Sequence, residues 1–171
     1  MDAIQALNTR RSTKAYTPQQ VPDELLDQIL KAGLNAPTGR NNQKVITVAV
    51  RNTDDRNQLS KMNGALLGID SDPFYGAPCV VAVLSDPERS TWVEDGSLVL
   101  GNLLHAAHAL GLGSCWVHRA REIFDSAEGK TLLEKWGLPS HLRGIGFCLL
   151  GYPAKAPIEK KLEDNRIIKI D

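Results

Sequence analysis

Arg10, Arg11, Ser12 and Lys14 put three cations and a hydroxyl within five residues. A guanidinium fork matches phosphate oxygens two at a time, and serine adds a neutral donor. This composition suits capture of one phosphate or carboxylate; a solvated basic turn has the same composition. A second cluster is Ala36-Pro37-Thr38-Gly39-Arg40-Asn41-Asn42-Gln43, a small-residue turn followed by several amides. Amides donate and accept at once, which fits the edge of a planar heterocycle as well as it fits a surface turn. The third is Gly111-Leu112-Gly113-Ser114-Cys115-Trp116-Val117-His118-Arg119. Its glycines allow a sharp exit from a helix, and Trp116 brings an aromatic face to a strand end. Backbone amides at His118 and Arg119 would project from the sheet edge, where layered α/β folds commonly bind ligands. A tight connection around a core tryptophan is the plainer alternative.

Other residues carry less. His105 and His108 have the i,i+3 spacing of a helical ligand pair, but no Cys, His or carboxylate stands at a matching distance, so they read as structural and no metal is expected. Asp70, Asp72 and Asp95 read as solvated carboxylates rather than acid–base groups. Cys79, Cys115 and Cys148 sit in apolar runs without CxxC spacing and read as buried, reduced thiols of a cytoplasmic protein. There is no G-x-G-x-x-G after a strand, no G-x-S-x-G and no H-E-x-x-H, and Gly64 to Gly68 holds no phosphate-loop lysine. A Rossmann nicotinamide site and a serine hydrolase lose support accordingly.

The elements that must position these clusters follow from periodicity. Asp2 caps a short helix through Ala3, Ile4, Ala6 and Leu7. Pro22 opens an amphipathic helix over 22–34, with Leu25, Leu26, Ile29, Leu30 and Leu34 at helical spacing. Residues 45–50 read as a β-branched strand and Asp54 to about Leu67 as a second helix. Cys79 to Leu84 is apolar throughout, as in a strand covered on both faces. Residues 91–111 form a long helix whose second half is apolar nearly all round, so it belongs in a core or an interface. A short strand at 114–117, a helix from Ala127 to Trp136 and a last core strand at 144–151 complete a layered domain. The tail from Tyr152 to Asp171 cannot fold alone, yet Ile167, Ile168 and Ile170 would not stay in water. It is expected to lie along a second subunit.

The 171 residues suit one domain that buries about 70% of its unfolded surface. Lys+Arg and Asp+Glu both number 20, so any basic cluster acts locally and not as a polyanion-binding field; no nucleic-acid partner is expected. Ser97 to Gly113, the longest apolar stretch, is interrupted by Asn102, His105 and His108 and is too short to span a bilayer. The start, Met1-Asp2-Ala3-Ile4, lacks a basic segment followed by an apolar one. No membrane association is expected, and the cytoplasm is the expected location.

Together the three clusters resemble the nitroreductase family of FMN-dependent NAD(P)H oxidoreductases. The matching residues are Arg10-Arg11-Ser12 with Lys14 and Tyr16, Ala36-Pro37-Thr38 with Asn41 and Gln43, and Ala109 through Trp116. Their order and spacing agree over almost the whole chain. The resemblance implies an α+β, three-layer fold with a central mixed sheet flanked by helices. It implies a homodimer with FMN at the interface, a domain over 1–152 and a C-terminal arm over 153–171 exchanged between subunits. Carried over by position, Arg10 and Ser12 hold the FMN phosphate with Arg11 assisting, and Lys14 approaches the flavin N1/O2 edge. Pro37, Thr38, Gly39 and Asn41, with Gln43, come from the partner subunit. Trp116, His118 and Arg119 lie near the ring, Asn63 meets the pyrimidine edge, and Lys160 and Lys161 match the basic residues of the family's tail.

The implied activity is hydride transfer from NADH or NADPH through flavin N5 to a small acceptor such as a nitroaromatic or quinone, in ping-pong order. Lys44-Val45 replaces the usual Pro and aromatic, and His118-Arg119 replaces an acidic-glycine pair found in some branches. Those departures motivate the alternative of a non-catalytic flavin-binding or redox-sensing module; a cofactor-free interaction domain is a third reading. The brief segment between Leu67 and Pro78 implies a flavin without the helical cover of longer members.

Overall fold

The computed structural model describes residues 1–170. In chain order the elements are α1 (Ala3–Thr9), α2 (Asp23–Leu34), β1 (Val45–Val50), α3 (Thr53–Leu67), β2 (Cys79–Ser85), α4 (Trp92–Ala109), β3 (Gly113–Val117), α5 (Ala120–Asp125), α6 (Ala127–Lys135) and β4 (Arg143–Gly151). The helix starts are chemically signed. Asp2, Asn52 and Ser126 accept backbone N–H groups at the starts of α1, α3 and α6. Gly68 closes α3 in the left-handed conformation. Pro22 precedes α2 instead of standing inside it, one residue from the expected start.

The strands form one sheet in the order β1-β2-β4-β3. Every ladder is antiparallel. The mixed sheet expected from the sequence is therefore corrected: parallel pairing is confined to a bridge between Ser12 and Ser114. The hydrophobic pattern could not reveal this, because strands covered on both faces look alike in either direction.

β2 is buried along its whole length and divides its side chains between two cores. Val80, Ala82 and Leu84 join Phe147, Leu149, Phe74 and Phe124 beneath α3, α5 and α6. Cys79, Val81 and Val83 join Leu100, Leu103 and Leu150 beneath α2 and α4. This alternation gives the three layers. One bulge interrupts it. Val83 pairs with Gly146 and Leu84 with Gly144, so Ile145 is the extra residue. The bulge turns Ile145 into the α2/α4 core, against Gly96 of α4, where any side chain would collide with it.

α5 has no counterpart in the sequence reading. It is six residues long, starts at a left-handed Arg119 without a side-chain cap, and is anchored by Ile123 and Phe124. α6 is tied across to α3 through Asp55, a buried carboxylate that accepts from Lys135 Nζ and, at 3.0 Å, from Trp136 Nε1. Those hydrogen bonds, the Lys135 bond first, hold the Asp55 carboxyl below the usual carboxylate range. A lowered folded-state pKa means stability present above the unfolded value and lost as pH falls through the folded one. Asp55→Ala should therefore cost about 1.5–3 kcal/mol at pH 7 in urea unfolding. The loss should begin to shrink as the pH falls below the ordinary carboxylate range of the unfolded chain and vanish only once the folded, lowered Asp55 carboxyl protonates. An unchanged difference down to pH 2 or so would contradict this.

Candidate functional site

The strip from Arg10 to Tyr16 leaves α1 and runs along the sheet margin. Thr13 N–H donates to Ser114 O at 2.9 Å, Ala154 N–H to Ala15 O at 2.9 Å, and Thr17 N–H to Tyr152 O at 2.9 Å. The strip lies so close to β3 that a side chain at Gly113 would meet Thr13 Oγ1 at 2.6 Å. A cavity of about 490 Å³ opens beside it, lined by Arg10, Arg11, Ser12, Lys14, Lys155 and Lys160, among others, with no carboxylate in the lining. Lys160, which the resemblance assigns to the phosphate site, lines the same cavity as Arg10. Lys161 is absent from the lining, and Lys155, which the sequence reading passed over, joins it.

The two arginines are not equivalent. Arg11 Nη1 donates to Asn8 O at 2.9 Å and to Arg10 O at 2.7 Å, so its guanidinium folds back on the end of α1. Arg10 Nη1 is buried with no hydrogen-bond partner, as is Arg11 Nε. A buried guanidinium donor without an acceptor is costly. A phosphate or carboxylate in the cavity would supply the missing acceptor.

Lys14 Nζ stands 5.9 Å from the centre of the Tyr75 ring, within cation–π range. Tyr75 is 37% exposed and has φ 53°, a conformation that a bulky residue seldom adopts. Asp72 organises the loop that presents it. Its carboxylate accepts from Arg56 Nη2 at 2.5 Å, Ser60 Oγ at 2.6 Å, Phe74 N at 2.9 Å and Gly76 N at 2.8 Å. Burial pushes the Asp72 carboxyl up, but the bonds from Arg56, Ser60 and the two amides outweigh it and hold the carboxyl below its ordinary value. Read as a solvated carboxylate from the sequence, Asp72 is instead the anchor of this loop.

His118 and Arg119 follow β3. Arg119 has φ 75° and pairs with Glu122 at 2.7 Å. Asn63 donates through Nδ2 to His118 O at 2.8 Å. Asn63 is 0% exposed and meets the segment after β3 through the His118 backbone. Its Oδ1 is buried without a partner. Trp116 lies on the other face. Cys115 and Val117 belong to the α3/α5/α6 core, whereas Trp116 packs with the α2/α4 core. Its indole Nε1 occupies space that a side chain at Gly146 would enter, 2.8 Å away. Strand alternation thus removes Trp116 from the face beside Lys14 and makes it a packing residue.

The 36–43 loop is strained. Arg40, Asn41 and Gln43 have φ of 54°, 53° and 51°. The left-handed conformation costs about 1–2 kcal/mol for Arg40 and for Gln43, and less for Asn41, whose short amide tolerates it. Gln43 N–H donates to Thr38 Oγ1 at 3.2 Å, and Asn42 Nδ2 to Gly39 O at 2.9 Å. Asp95, read as a free carboxylate from the sequence, is 3% exposed and bonded to this loop.

This loop does not meet the basic strip within one chain. Ser12, Ser114, Leu150 and Cys79 form one row across the sheet. The loop enters β1 at Val45, which pairs with Ser85 at the far end of β2. Six residue steps and four strand spacings separate the two regions, roughly 20 Å along and 19 Å across. The cavity beside the loop, about 550 Å³ and lined by Gly39, Arg40, Asn42, Glu88 and Arg89 with Ser90 and Thr91, shares no residue with the first.

The remaining candidates have local roles. His105 Nδ1 lies 2.7 Å from Gly101 O and His108 Nε2 2.7 Å from Thr9 Oγ1. The three thiols are buried, and burial pushes Cys79 up to about 12. No helix among the described residues is long and apolar enough to cross a membrane.

Fold and site define a class: a three-layer α+β protein with an anion-seeking basic pocket at one corner of its sheet and a preformed polar loop at the opposite corner. Residues 7–68 match the nitroreductase family. The chain is 32% identical, over 100% of its length, to a Methanothermobacter thermautotrophicus protein named NADH dehydrogenase/NAD(P)H nitroreductase, 87% of which it covers. It is 27% identical to the FMN reductase [NAD(P)H] of Bacillus subtilis, covering 93% of this chain and 69% of that one. A crystal structure of a nitroreductase with bound FMN from Bacteroides fragilis superposes with a TM-score of 0.92 at 27% identity, covering 100% of both chains. The chain belongs to the nitroreductase family.

The Asp72 network makes one prediction here. Asp72→Ala should destabilise the protein by on the order of 2 kcal/mol and expose the Phe74 and Gly76 amides to fast hydrogen exchange. Retained protection of both amides would show that another contact holds the loop.

Proposed function

We propose that this protein is an FMN-dependent NAD(P)H oxidoreductase, working as a homodimer that completes two flavin sites between its subunits. The observation that carries this reading is the unpartnered, buried Arg10 Nη1 at a cavity with five cations and no carboxylate. A dianionic phosphate is the complement of that lining. The donor set fits FMN, and the solved relative from Bacteroides fragilis has FMN bound.

In this reading Arg10 and Ser12, with Lys160 and Lys155, hold the phosphate. Arg11 contributes by fixing the strip to α1, and Lys161 adds charge nearby. Lys14 supplies a fixed positive charge beside the pyrimidine end of the ring, which favours extra negative charge there. His118 and Arg119 offer backbone groups that Asn63 steadies. Pro37, Thr38, Gly39, Asn41 and Gln43 come from the second subunit. When bound, FMN supplies hydride chemistry at N5, accepting from NADH or NADPH and delivering to a nitroaromatic or quinone in ping-pong order. The segment beside Lys14 is a short loop without a covering helix, which would leave room for varied acceptors.

A second copy is supported by the distance between the half-sites and by uncovered apolar surface. Ile4 and Leu7 of α1, Leu34 of α2 and Leu98 of α4 are exposed, as are Ile158, Leu162, Ile167, Ile168 and Ile170 of the tail. Surface of that kind marks an interface. The start of the tail stays on its own subunit, where Ala154 N–H donates to Ala15 O and Lys155 and Lys160 line the basic cavity. Of the 153–171 arm expected from the resemblance, the stretch past Lys160 is the part that would lie on the partner's 1–152 domain, and Asp171 is outside the described residues. Three buried thiols suit the reducing cytoplasm, where we place the protein.

The purified protein should be yellow and should bleach when NADH or NADPH is added without oxygen. Arg10→Ala should weaken FMN binding about 10-fold to 100-fold. Lys14→Ala should retain FMN and slow its reduction about 10-fold or more. Unaltered FMN affinity in Arg10→Ala would remove the phosphate assignment. Tight FMN binding without bleaching would leave only the non-catalytic module.

A further inference from the structure

Asp95 lies in the first turn of α4, is 3% exposed and belongs to no ion pair among the described residues. A buried carboxylate without a cation persists only where hydrogen bonds satisfy it. Here they do. Gly39 N–H donates to Oδ1 at 2.8 Å, Asn42 Nδ2 to Oδ2 at 2.9 Å and Thr91 Oγ1 to Oδ2 at 3.1 Å. Two of the three donors belong to the strained loop. Gly39 approaches so closely that any side chain there would collide with the Thr91 hydroxyl.

Apart from Asp95 and Thr91, few polar contacts tie the loop to the rest of the fold. Its other hydrogen bonds run within residues 38–44. They cannot fix the loop relative to the rest of the fold. Asp95 supplies that external hold, and bonds to a charged acceptor are the strong kind. Strained backbone survives where its surroundings over-determine it, and such places gather at functional sites.

We propose that Asp95 is a positioning residue for the flavin site of the other subunit. It presets the 38–43 loop in the conformation that meets the partner's flavin, so that binding does not have to order the loop. Asp95 therefore acts across the dimer, while Arg10 acts on its own subunit's phosphate site. This inference rests on the FMN-binding dimer proposed above.

The test uses full-length chains. Asp95→Asn is nearly isosteric but turns one acceptor into a donor facing Gly39 N–H or the Asn42 amide. Asn42→Ala cuts the same contact from the loop side. Each should raise the FMN dissociation constant about 10-fold or more and weaken the visible circular dichroism of bound flavin, with the far-ultraviolet spectrum unchanged. If Asp95→Asn fails to fold, Asn42→Ala decides this step. Wild-type FMN affinity in the variants overturns the proposal.

The decisive arm co-expresses Arg10→Ala and Asp95→Asn chains (Asn42→Ala if needed) under different tags and isolates the mixed dimer. Action across the dimer concentrates both lesions in one site and leaves the other intact. One FMN per mixed dimer should then bind with wild-type affinity. If Asp95 served its own subunit's site, or only general stability, no site of wild-type affinity would remain, and the proposal fails. A wild-type protein that binds no FMN, or binds it as a monomer, would instead refute the underlying functional reading.

Discussion

Positive charge crowded into one corner is the constraint on which this molecule turns. Arg10, Arg11, Lys14, Lys155 and Lys160 line one cavity with no carboxylate among them. Like charges gathered on one wall repel, although water screens the exposed lysines among them. The fold accepts that cost and fixes it in place. Bonds from the strip to Ser114 and from Ala154 to Ala15 hold both walls. Gly113 lets the strip approach β3. In the proposed function, an anion in the cavity would offset the repulsion and satisfy Arg10 Nη1, which gives the basic strip, the tail and the sheet margin one task.

The second constraint is distance. The loop at 36–43 is ordered, strained and polar, yet it stands at the opposite corner of the sheet from that cavity. A single chain that ordered two half-sites out of reach of each other would gain nothing from the second. In the proposed dimer, two copies related by a two-fold axis would bring each half to its complement twice, because a symmetric interface repeats every contact. In this account the exposed leucines and isoleucines of α1, α2, α4 and the tail are the surface that drives the pairing.

The fold was largely legible in the sequence because its signals are local. An all-apolar run marked β2, and helical spacing marked α2 and α4. Strand direction was not legible, since burial on both faces erases the usual alternation. α5 was missed because six residues carry too little periodicity. The gathering of cations at Arg10–Lys14 was visible in the composition, while Lys155, 141 residues further on, joins their cavity with no local signal. Trp116 was assigned to the site although its neighbours Cys115 and Val117 fix it on the other face. Asp72 and Asp95 were misread for one reason: a carboxylate in a polar stretch looks solvated until its donors arrive from elsewhere in the chain. Asp95 takes two of its bonds from residues more than fifty positions away. The bulge that re-aims Ile145 against Gly96 has no sequence signal beyond paired glycines.

In the proposed dimer the flavin site exists only between two chains. The most direct measurement is FMN affinity as a function of protein concentration, followed by fluorescence quenching alongside native mass spectrometry. Two FMN per dimer and none on the monomer, with affinity collapsing on dilution below the dimer dissociation constant, is the predicted result. A monomer that binds FMN as tightly as the dimer would contradict it.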